Sequence, residues 1–144
     1  MTARRLLSDA VARYRQIGIK SGLTNALSNL GWACAHLGAL PAAARYLHEA
    51  LSLALELGEL PFGLEVLTRA AALLAQQDHG GRTPYAIDPA GILAFVVRHP
   101  ALLDETRRAA TALQARLGSG TSARLPSDFP AAARVVLQAL EAFG

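Results

Sequence analysis

Displaced by forty positions, this chain matches itself. The shift sets Ala3 on Ala43, Arg5 on Arg45, Leu7 on Leu47, Ala10 on Ala50, Gly18 on Gly58 and Leu27 on Leu67. At these positions small residues meet small ones and large meet large. A chain built this way must stack like units, because one unit alone cannot bury its apolar face.

Each period reads as two helices. Leu23, Ala26, Leu27, Leu30, Cys34 and Leu37 fall at three- and four-residue steps and form one apolar stripe. Gly38 follows as a helix stop, where glycine most cheaply adopts a left-handed conformation, and Pro41 suits the first turn of the next helix. Ala43, Leu47, Ala50, Leu51, Ala54 and Leu57 make the second stripe, ended by Gly58. A further helix runs from about Phe62 to Gln77, with Leu67, Ala70, Ala71 and Leu74 inward. Gly31 lies on the inward stripe, and glycine costs a helix interior about 1 kcal/mol against alanine. It is therefore expected to be a notch that lets side chains near Leu47 and Ala50 approach.

The pattern changes after Gln77. Residues 78–89 carry turn chemistry, Asp88 and Pro89 start a short helix to about His99, and Pro100 with Asp104 and Glu105 opens a helix over 101–117. Residues 118–129 have a linker's composition, and 130–144 form a last helix, apolar through Ala133, Val136, Leu137 and Leu140. With 52% hydrophobic and 17% charged residues, rich in alanine and leucine, the expected fold is all-α.

Ala26-Leu27, Asn29-Leu30-Gly31, Gly38, Ala43, Leu47 and Ala50-Leu51 together resemble one tetratricopeptide repeat, although Cys34 stands where that family often has tyrosine. The resemblance implies a right-handed α-solenoid of antiparallel helix pairs with a closing helix. It divides 1–117 into a half-repeat at 3–17, a repeat at 24–57, a degenerate repeat at 62–99 and the closing helix 101–117. The long period is similar to that of repeats in large bacterial regulators. This implies a cytoplasmic scaffold for protein–protein interaction in signalling or transcription regulation, of which the chain is the C-terminal part. The half-repeat 3–17, with Leu6, Leu7, Ala10, Tyr14 and Ile17, would then dock on preceding repeats or on a second copy.

In that family the first helices line a concave groove for a partner's protein or peptide segment. Carried onto this chain, the groove residues are Asn25, Ser28, Trp32 and His36, with Glu65, Thr68 and Gln76 from the next unit. Trp32 is an aromatic of the kind that dominates binding hot spots. Residues 23–37 hold no Lys or Arg and 62–77 hold only Arg69, which argues against a basic clamp.

Other chemistries have less support. His36, His48, His79 and His99 lack ligand spacing and accompany no cysteine pair, so no metal site, cofactor or catalytic residue is expected. Cys34, the lone cysteine, reads as core. The insert 78–88, with Asp78, His79, Arg82, Tyr85 and Asp88, is an alternative location for a small-ligand or enzymatic site. Residues 1–20 carry five positive charges and one negative, so Arg4, Arg5, Arg13 and Arg15 offer a weak nucleic-acid alternative. The rest of the chain lacks the concentrated basic face such binding needs. No apolar run approaches the ~18 residues of a membrane span.

Overall fold

The computed structural model describes residues 3–76, 89–117 and 125–143, and among these every regular element is a helix. In chain order they are α1 (Ala3–Ile17), α2 (Lys20–His36), α3 (Leu40–Leu57), α4 (Leu60–Gln76), α5 (Pro89–Arg98), α6 (Asp104–Leu117) and α7 (Phe129–Glu141). Connections of two or three residues join the first four. None of the described helices is long and apolar enough to cross a membrane.

Glycine punctuates the start of the chain. Gly18, Gly38 and Gly58 have φ of 83°, 80° and 67°, a region where a side chain would crowd the backbone. Beyond Gly38, the Ala39 N–H donates to the Cys34 carbonyl at 2.9 Å. Beyond Gly58, the Glu59 N–H donates to the Ala54 carbonyl at 3.0 Å. These six-to-one bonds satisfy carbonyls that the helix end would otherwise orphan.

Consecutive helices from α1 to α4 pack in chain order, α5 packs on α4, and α6 on α5; α2 also meets α4, and α4 meets α6. Leu27, Leu30, Leu47, Leu51, Leu64, Leu67, Leu73 and Leu74 are sealed in the resulting core. Cys34 is fully buried there. Gly31 is the expected notch: a Cβ on it would lie 2.9 Å from Leu47 Cγ and 3.2 Å from the Ala43 carbonyl oxygen. The approach falls one turn earlier on α3 than Ala50. On α1, Leu7, Ala10 and Tyr14 pack against the core, while Leu6 and Ile17 remain exposed.

Four boundaries differ from the sequence reading. α2 begins at Lys20, before 24, because Gly18 ends α1 and leaves two connecting residues; Lys20 then bonds Glu56 on α3 at 2.6 Å. α4 begins at Leu60 rather than Phe62. Pro100 does not open a helix: residues 99–103 turn, with the Ala101 N–H donating to His99 Nδ1 at 3.1 Å, and α6 starts at Asp104. The last helix spans Phe129–Glu141, not 130–144, and Asp128 caps it by accepting from the Ala131 N–H at 3.1 Å.

The end of the expected linker is packed, since Leu125 is buried. α7 lies on α3 and α4. The Phe129 ring covers Gly63 so closely that a Cβ there would meet Phe129 Cζ. His48 Nε2 joins Glu141 Oε1 across α3 and α7 at 2.9 Å.

Gly31→Ala should test the notch. Alanine's intrinsic preference would stabilise α2 by about 1 kcal/mol, but overpacking a sealed core costs about 1–3 kcal/mol. The expected outcome is a lower urea midpoint, with a net loss of about 1 kcal/mol; an unchanged or higher midpoint would contradict the close approach.

Candidate functional site

A groove of about 650 Å³ opens between α2, α4 and α6. Its walls repeat the forty-residue register. Trp32 on α2 is followed by Ala72 on α4 and Ala112 on α6, and His36 by Gln76 and Arg116. Glu65 and Arg69 on α4 are followed by Glu105 and Ala109 on α6. The groove thus arises from equivalent positions of successive units. It is open because alanine stands where α2 carries its tryptophan.

Trp32 is partly exposed and held from two sides. The His36 ring meets it edge-on, with centroids 4.7 Å apart at 76°, and His36 Nδ1 lies 2.9 Å from the Trp32 carbonyl oxygen. On the other side the Arg69 guanidinium carbon sits 5.7 Å from the indole centroid, within cation–π range. Arg69 Nη1 donates to Ser28 Oγ and to Asn29 Oδ1, each at 2.8 Å, and pairs with Glu65 Oε1 at 3.2 Å. Burial pushes the guanidinium below its ordinary pKa and Glu65 pulls it back. A guanidinium still stays charged under such a shift. Arg69 therefore ties α4 to α2 and fixes the indole.

Of the seven residues assigned to a groove, the structure brings five to this cavity: Trp32, His36, Glu65, Thr68 and Gln76. Two lie elsewhere. Ser28 is 2% exposed and spends its hydroxyl on Arg69, so it supports the site from beneath. Asn25 is exposed on α2 but is not among the residues lining the cavity. Thr68 reaches the cavity with its hydroxyl already donating to the Leu64 carbonyl at 2.9 Å.

Two contributors do not stand out in the sequence. Arg69 reads there as a lone charge, although it stands forty positions after Asn29 and four after Glu65. The α6 wall reads as a closing helix, and its Glu105, Ala109, Ala112 and Arg116 recur at four-, three- and four-residue steps in the register of α4.

The other candidate chemistries find these surroundings. No three His, Cys, Asp or Glu side chains converge as a metal site among the described residues. His99 caps a turn and His48 pairs with Glu141. Arg15 on α1 pairs with Glu49 on α3, both of them exposed. The insert 78–88 lies outside the described residues. Comparison with family models, with curated proteins and with solved structures produced no match to this chain.

Trp32 is the chain's single tryptophan, so its emission reports this site alone. Arg69→Met should strand the Ser28, Asn29 and Glu65 acceptors. The expected result is a loss of about 1–3 kcal/mol in unfolding free energy, with a shifted Trp32 emission maximum. Wild-type stability together with an unmoved emission would contradict the role given to Arg69.

Proposed function

We propose that this chain is a non-enzymatic helical-repeat module that binds a protein or peptide segment in the groove between α2, α4 and α6. The observation that carries this reading is the placement of one partly exposed tryptophan against an alanine-lined wall built by alternate helices. An indole beside an open apolar space offers a large contact area at small entropic cost, as binding hot spots require.

The architecture behind the proposal is a right-handed α-solenoid of antiparallel, tetratricopeptide-like pairs. Three observations support it: the short connections, the left-handed glycine stops, and the meeting of α2 with α4 and α4 with α6. In this reading α6 is the first helix of a third unit. Exposed Leu6 and Ile17 support docking of α1 on preceding repeats or a second copy. A cytoplasmic bacterial signalling or transcription regulator is the setting implied by the repeat resemblance.

Screening an immobilised peptide library against the wild-type chain and Trp32→Ala tests the reading. Peptides that quench or shift Trp32 emission on the wild type should lose at least tenfold in affinity for Trp32→Ala, a hot-spot effect above about 1.4 kcal/mol. Equal binding by both proteins would place recognition elsewhere.

A further inference from the structure

The charges on the groove walls are unevenly committed. On α4, Glu65 and Arg69 neutralise each other at 3.2 Å. On α6, Glu105 and Arg116 both line the groove, both are exposed, and neither has an ion pair among the described residues. They share one face of the helix, bracketing Ala109 and Ala112. Eleven residues of helix separate them by about 16 Å at the helical rise of 1.5 Å per residue. Between them lie the two alanines, Ala72 and the Trp32 indole, beside an Arg69 already committed to Ser28, Asn29 and Glu65.

Resting on the groove reading above, we infer that the partner is a short extended segment with an apolar centre, a basic side chain at one end and an acidic one at the other. Charge complementarity carries the inference. A segment with like charges at both ends would oppose either Glu105 or Arg116. A strand advances about 3.3 Å per residue, so about six residues span the two charges. The apolar side chain packs on the Trp32 indole above the alanine floor. The same two charges also suit the dipole of α6, acid at its start and base at its end. Stability therefore cannot report the recognition role, and pairing specificity must.

Three hexapeptides with acetylated and amidated ends, which removes terminal charges, serve as probes: Lys-Ala-Leu-Leu-Ala-Glu, and the same core flanked by two lysines or by two glutamates. Each is titrated against the full chain while Trp32 emission is followed. On the wild type, the mixed peptide should bind about threefold tighter than either like-charged one, the scale expected of an exposed ion pair. In Glu105→Lys the preference should pass to the two-glutamate peptide, and in Arg116→Glu to the two-lysine peptide. All three preferences should fade at high salt. Saturable responses of equal strength for the three peptides, or variants that keep the wild-type order, would overturn the charge pattern while leaving the groove reading intact. No Trp32 response to these probes or to any library peptide would overturn both.

Discussion

The structure depends on where its helices stop. Gly18, Gly38 and Gly58 stand twenty residues apart, and each turns the chain in a backbone region open mainly to glycine. That spacing sets the length of a helix with its connection, and two such units make the forty-residue register. Because the stops recur evenly, residues forty apart occupy equivalent places on α2 and α4, and the same register continues onto α6. Packing follows from the register: Gly31 admits Leu47 between α2 and α3, and Gly63 admits Phe129 between α4 and α7. At both points a missing side chain allows the approach of another element.

The groove is a consequence of the same regularity with one asymmetry. At a position where two units carry alanine, the first carries tryptophan. Tryptophan in all three would fill the space, and alanine in all three would leave no anchor. Arg69 makes the asymmetry rigid: one side chain holds Ser28 and Asn29 on α2, pairs with Glu65 and lies over the indole. A partly buried guanidinium is stabilising when its donors find acceptors, and here Nη1 finds two on α2 and Glu65 on its own helix. Groove geometry and inter-unit packing are therefore coupled through one residue.

The helices and their stops were legible in the sequence because both are local. The apolar stripe of α2, the turn at Gly38, the notch at Gly31 and the burial of Cys34 all follow from spacing within one or two helices. Most of the groove's α2 and α4 walls could be read by carrying α2's outward face forward by forty positions. What escaped depends on contacts between distant elements. The sequence presents Ser28 as one more outward residue, and only the arrival of Arg69 from the next unit makes it a buried acceptor. The α6 wall was hidden by the change of pattern at 78–89, which interrupts the register before α6 resumes it. α7 read as a helix beyond a linker, and its seat depends on Gly63, more than sixty residues earlier.

α2, α4 and α6 stand side by side as successive steps of one register. The distance between spin labels at His36→Cys and Arg116→Cys, measured by pulsed electron paramagnetic resonance, checks that arrangement. Cys34, fully buried, stays out of reach of the label. Two helix-to-helix steps of 8–10 Å give a single distribution centred at about 16–20 Å. A distribution centred well beyond about 30 Å, or two separate populations, would contradict the account.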